Sequence, residues 1–260
     1  GIILALNTAT PTAKADWFGT GDNRFEIEFV TIGDPGNPAD TTGDPNPAGS
    51  VSYIYRIGKY EISEHMITKA NAASAEAGDS LRITTDNRGP DKPATRVSWF
   101  EAARFVNWLN TSIGNTPAYK FDENGDFQLW EPDDLGYNPN NLFRNSKARY
   151  FLPSADEWYK AAFYDPATGI WYDYPNGSNE PPIPVASGTE FNTAIYDQTG
   201  PADIILAGGP SHFGTVGQAG NVGEWEETEL DLLNDDPQDK RGFRGSDWGL
   251  ISGNLLGLSS

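Results

Sequence analysis

At 260 residues the chain is long enough to bury a sizeable core, and an aromatic content of 12% argues against disorder. A formal net charge of −19 repels phosphate backbones and anionic lipid and favours divalent cations, so nucleic acid and acidic membranes are poor partners. Cysteine is absent, which excludes disulfides, thiolate catalysis and thiolate-bound metals.

The apolar run Ile2-Ile3-Leu4-Ala5-Leu6 leads through small and polar residues to Ala13-Lys14-Ala15. It reads as the end of a secretory signal, cleaved before Asp16, with residues 16–260 as the mature domain and a secreted or extracytoplasmic location. The alternative for residues 1–15 is a first β-strand. No run of 18 apolar residues occurs, so no membrane span is expected.

Phe25 to Ile32 and Val51 to Tyr60 read as strands of an antiparallel pair, the second alternating Val51, Tyr53, Tyr55 and Ile57 against polar neighbours. Ser63 is placed to cap a helix reaching about Ala75. Ser98 with Glu101, and Ser154 with Glu157, form capping boxes that start two more helices. Trp99, Ala102, Ala103, Val106 and Leu109 then share one helical face. Asp122-Glu123-Asn124-Gly125-Asp126 reads as an Asn-Gly hairpin turn and not as a calcium loop, because the alternating ligands and distal Glu are missing. From Tyr172 to Gly214 the pattern is that of a long ordered loop. Gly (28) and Pro (19) are abundant enough to make the whole chain loop-rich.

Six segments, in order, resemble the formylglycine-generating enzyme (sulfatase-modifying factor) family. They are Phe29-Val30-Thr31-Ile32-Gly33 with Tyr55 to Ser63, Pro93 to Ala103, Phe151-Leu152-Pro153-Ser154-Ala155-Asp156-Glu157-Trp158, Gly220-Asn221-Val222-Gly223-Glu224-Trp225, and Arg241 to Trp248. The resemblance implies an α+β single domain of the C-type-lectin-like class, loop-rich, with few helices, short antiparallel sheets and bound calcium. The family's two catalytic cysteines correspond to Leu250 and Leu255 here, and leucine neither holds copper nor activates oxygen. The chain also ends at Ser260, ahead of the family's closing strand, and is expected to be truncated there.

The resemblance implies two calcium sites. One falls on the Gly220 and Val222 carbonyls and the Glu224 carboxylate, with Gly217 at a ligand position that has no side chain. The other falls on Asn192, Thr193, Asp197 and Thr199. Such oxygen-only donors suit a hard cation. The enzymatic alternative is a metal-dependent oxidase or oxygenase of the same fold. A facial triad would need both His65 and His212, which are far apart in sequence, and no nucleophile elbow is present. The remaining class is a binding or scaffold module for a protein or carbohydrate, with Trp130, Trp171, Tyr172 and Tyr174 as loop aromatics that are exposed for stacking or fill the core.

Overall fold

A computed structural model describes residues 1–7 and 15–250. Five strands build the main sheet: β1 (Ala5–Asn7), β2 (Ala15–Phe18), β3 (Phe25–Ile32), β4 (Tyr55–Gly58) and, much later, β7 (Tyr150–Phe151). Their spatial order is β2-β3-β4-β1-β7, and every pair is antiparallel. Strand β3 alternates as its sequence predicts: Phe25, Ile27 and Phe29 are buried while Glu26 and Glu28 face solvent. The second predicted strand is shorter than its alternation implied. Pairing with β3 begins at Tyr55, and Tyr53 and Ile54 lie exposed ahead of it.

The N-terminal apolar run is the heart of this sheet. Strand β1 pairs with β4 on one side and β7 on the other, and Ile2 to Leu6 are at most 1% exposed. Residues 5–7 form a strand here, and a cut before Asp16 would remove the strand that joins β4 to β7. Ala13 and Lys14 lie outside the described residues.

Three helices pack around the sheet: α1 (Glu64–Glu76), α2 (Trp99–Thr111) and α3 (Ala155–Phe163). Each starts where the sequence predicts. The Ser63 hydroxyl accepts from Met66 N, and both capping boxes are closed in both directions. Helix α2 buries Trp99, Ala102, Ala103, Val106 and Leu109 together with Phe105 and Trp108. Between α2 and β7, β5 (Lys120–Phe121) and β6 (Phe127–Gln128) form the hairpin predicted at Asn124-Gly125, where Gly125 has φ +84°. Beyond α3 come four two-residue strands: β8 (Tyr164–Asp165) pairs with β9 (Ile170–Trp171), and β10 (Ile183–Pro184) pairs in parallel with β11 (Thr193–Ala194). The last pair, β12 (Glu224–Glu229) and β13 (Arg241–Arg244), is antiparallel with an irregularity in register between Trp225 and Glu229.

The loop aromatics pack to different depths: Tyr174 is buried, and Trp130, Trp171 and Tyr172 are half-buried. Trp171 packs its ring on Tyr159 and Tyr164, with centroids 5.4 and 4.8 Å apart. Trp130 donates from Nε1 to Ala118 O at 3.0 Å, and Tyr172 stacks on His212 at 5.3 Å. None of the four is an exposed binding aromatic. In a loop-rich fold too few helix and sheet faces exist to make the core, so loop side chains complete it.

Arg144 locks these parts together. Its guanidinium donates to both oxygens of Glu227 from Nε (3.1 and 2.8 Å) and to Glu157 from Nη1 and Nη2 (3.1 and 2.9 Å). Nη2 also reaches Leu152 O at 3.2 Å, and the plane lies 3.7 Å from the Phe151 ring centroid. Glu157 caps α3 through Ser154 N and Glu227 lies on β12, so one fork joins the sheet end, the helix start and the last hairpin. Replacing Arg144 with Met leaves two buried carboxylates without their cation. The expected cost is about 3–5 kcal/mol, or a fall in midpoint of roughly 6–20 °C by calorimetry; an unchanged midpoint would contradict the role assigned to the fork. A chain beginning at Asp16 is expected to show no cooperative thermal transition, whereas a preserved transition would show that residues 1–7 are dispensable.

Candidate functional site

Strand β12 reads Glu-Trp-Glu-Glu-Thr-Glu, and all four glutamates are at most 2% exposed. A buried carboxylate needs a cation or a full set of donors. Glu226 has Arg244, Glu227 has Arg144, and Glu229 has Arg241 at 3.4 Å. The bulge in the ladder lets neighbouring Glu226 and Glu227 both find buried partners.

Glu224 has no arginine. Its Oε2 accepts from Trp158 Nε1, and its Oε1 has no partner. Glu61, in the turn between β4 and α1, is also fully buried, and its carboxyl feels the charge of Glu224. Asn221 Nδ2 donates to Glu61 Oε2 at 2.6 Å, and Glu61 Oε1 likewise has no partner. Burial, reinforced by the Glu224 charge, pushes Glu61 well above the ordinary carboxylate range. Burial raises Glu224 to about 7 against the Trp158 hydrogen bond, and raises Glu226 to about 7 against Arg244. The α-amino group of Gly1 lies near both Glu61 and Glu224, donates to Gly223 O at 2.6 Å, and is held down to about 6 by burial.

The loop ahead of Glu224 is held tightly. Asn221, at φ +66°, donates its backbone N–H to Ile195 O at 2.8 Å and accepts from Trp248 N and, through Oδ1, from Ala202 N. Among the described residues no hydrogen bond ends on the carbonyl of Gly220 or Val222. Two free carbonyls beside a buried, half-satisfied carboxylate are what a hard cation requires, so the residues of the Glu224 loop fit calcium.

The second predicted set is disposed differently. Asn192 Oδ1 accepts from Asn176 Nδ2, and the Thr193 carbonyl accepts from Gly209 N at 2.8 Å. Asp197 and Thr199 are exposed, and Asp197 N donates to Leu250 O. Two of the expected donors are therefore already occupied.

One group of three acidic side chains brings its oxygens within 4.8 Å: Glu229, Asp231 and Asp239, at the β12–β13 turn. Glu229 already accepts from Asp235 N, Asp236 N and Arg241, so its oxygens are spoken for. The two histidines keep separate company. His65 lines a cleft with Trp17, Asp91 and Asp203, while His212 stacks on Tyr172 with Nδ1 3.7 Å from Asp165. Among the described residues no group of three such ligands contains a histidine.

An open cleft of about 580 Å³ lies beside the start of α3. Pro45, Pro47, Leu142, Asp156, Leu232 and Leu233 are among the residues that line it. Leu232 and Leu233 are 49% and 61% exposed, and the aromatic 243 on the next strand is also in solvent.

Comparison with protein families identifies the sulfatase-modifying factor enzyme 1-like domain over residues 32–255, and the chain belongs to that family. A search of curated proteins finds no match. Among solved structures, Treponema denticola variable protein 1 is similar with a TM-score of 0.62 at 19% identity, covering 96% of this chain and 92% of that one. CarF is similar with a TM-score of 0.62 at 19% identity, covering 90% and 91%. At that identity both likenesses speak for the fold. The family's first cysteine position, Leu250, is half-buried and lies in the described chain; Leu255 lies outside it.

Glu61 is the site residue that sequence reasoning missed. Its signal was present: an acidic residue between Tyr60 and Ile62, directly after a strand whose residues are all buried. The raised carboxyls have a sign that can be measured. In chelator, Glu224 keeps its proton in the folded chain up to about 7 and in the unfolded chain only to about 4.5. Its contribution to stability is complete below about 4.5 and is lost as pH rises through about 7. The stability of the wild type minus that of Glu224→Gln should thus fall with rising pH across this window in urea titrations; a flat or rising difference would contradict the burial assigned to Glu224.

Proposed function

We propose that the chain is a non-catalytic member of its family, a cation-stabilised binding or scaffold module working outside the cytosol. The observation that carries this reading is the absence of any thiol from a chain of this family, with Leu at positions 250 and 255. Without thiolates the copper and oxygen chemistry of formylglycine formation has no ligands. The separate surroundings of His65 and His212 favour no oxygenase site in its place.

Calcium is the proposed ion, with Glu224 and the Gly220 and Val222 carbonyls as donors, and Asn192, Thr193, Asp197 and Thr199 as the second candidate set. The unpartnered oxygens at the first set support placing the ion there. Extracellular modules bind calcium with Kd of roughly 0.1–1 mM. A site of that strength fills where calcium is near millimolar, which supports an extracytoplasmic location. The cleft beside α3, with Leu232 and Leu233 at its edge and Asp156 inside, is the surface best suited to a protein ligand. A carbohydrate ligand has less support, since Trp130, Trp171, Tyr172 and Tyr174 are buried or half-buried and already packed or hydrogen-bonded within the chain.

Incubation with copper, oxygen and a sulfatase-type cysteine peptide is expected to leave the peptide mass unchanged; enzyme-dependent conversion would overturn the non-catalytic reading. At about 1 mM calcium, a site with Kd near 0.1 mM adds on the order of 1.4 kcal/mol. The melting midpoint should then rise by a few degrees and fall back with chelator, and magnesium should not substitute. Identical melting curves in calcium, magnesium and chelator would overturn the calcium reading.

A further inference from the structure

We infer that Glu61 supplies the acidic ligand that Gly217 lacks, making the Glu224 loop a two-carboxylate divalent-cation site; the inference rests on the calcium reading above. Three independent observations meet here. Glu61 and Glu224 are neighbouring carboxylates with no solvent exposure, and each keeps one oxygen without a donor. The other three glutamates of β12 each have an arginine, whereas the positive group facing this pair is the buried α-amino group of Gly1. Lastly, a Cβ built on Gly217 would lie 3.1 Å from Glu61 Cδ and 3.3 Å from each of its oxygens. The carboxylate of Glu61 thus stands where a side chain from 217 would begin, and the glycine, at φ +104°, is what leaves it room.

Asn221 orients Glu61 through Oε2, as Trp158 orients Glu224 through its own Oε2. Each carboxylate leaves its Oε1 without a hydrogen-bond partner, and the Val222 backbone also steadies Glu61. With the Gly220 and Val222 carbonyls, the site offers four oxygens from two chain segments, within reach of the six to eight that calcium takes once water is added. The ion would tie the β4–α1 turn to the start of β12, a long-range link across 160 residues to which Asn221 and the Val222 backbone already contribute.

The test compares wild type, Glu61→Gln, Glu224→Gln and Asp197→Asn in calcium and in chelator. Glutamine keeps the volume of Glu61 and an acceptor for Asn221, so Glu61→Gln should fold and melt no lower than wild type in chelator. It should lose the calcium-induced rise in midpoint, and its calcium affinity by isothermal titration should drop at least tenfold. Terbium is a hard oxygen-seeking stand-in, and Trp158 sits against Glu224 to sensitise it. Tryptophan-excited terbium emission should be strong in wild type and Asp197→Asn and weak in Glu61→Gln and Glu224→Gln. If calcium raises the wild-type midpoint and Glu61→Gln keeps the full rise and emission, the Glu61 assignment is overturned while the calcium reading stands. If wild type itself responds to neither ion, both are overturned.

Discussion

Burying four carboxylates on one short strand is the constraint to which much of this molecule answers. Each ionised group taken out of water costs several kcal/mol unless a cation and hydrogen bonds replace its hydration. The chain meets that cost with arginines drawn from distant places. Arg144 comes from the loop before β7, while Arg241 and Arg244 come from the partner strand β13. Arg241 also lies over the Trp99 and Phe143 rings, 4.7 and 4.2 Å from their centroids, so the charge network is continuous with the aromatic core. The loops between β5 and β7 and after α3 have little regular hydrogen bonding of their own. Buried ion pairs and tyrosine hydroxyls fix them instead: Tyr119 to Glu227, Tyr53 to Glu157 and Tyr159 to Asp40.

That arrangement explains how the fold persists without catalytic thiols. The fork of Arg144, the capped helices and the five-stranded sheet are built from residues ahead of Leu250. The loop before Glu224 is held by Glu61, Ile195, Ala202 and Trp248, none of which is a thiol. Fold similarity to Treponema denticola variable protein 1 and to CarF is consistent with one scaffold carrying different surfaces.

The parts of the structure legible in the sequence are those governed by local rules. Capping boxes at Ser98 and Ser154, alternation along β3 and the Asn-Gly turn at 124–125 each need only a few neighbouring residues, and each is found. Order and spacing of motifs carried the family, which composition alone would not. What was illegible depends on the third dimension. An apolar pentapeptide followed by small residues has the same composition in a leader and in a strand, and nothing local announces its pairing with β4 and β7. Loop aromatics such as Trp171 give no sign of burial until Tyr159 and Tyr164 are brought against them. The meeting of Glu61 with Glu224 spans 163 positions, and a loop residue at 217 had to be glycine for it to happen.

The buried pair of Glu61 and Glu224 is the place proposed to house an ion. The most direct measurement is diffraction from crystals grown in calcium, with anomalous differences collected at long wavelength. The account expects one ordered peak between Glu61 Oε1 and Glu224 Oε1, with oxygen ligands at about 2.3–2.6 Å. A peak confined to Asn192 and Asp197 or to the Glu229 turn, with an ion-free Glu61–Glu224 pair, would contradict it.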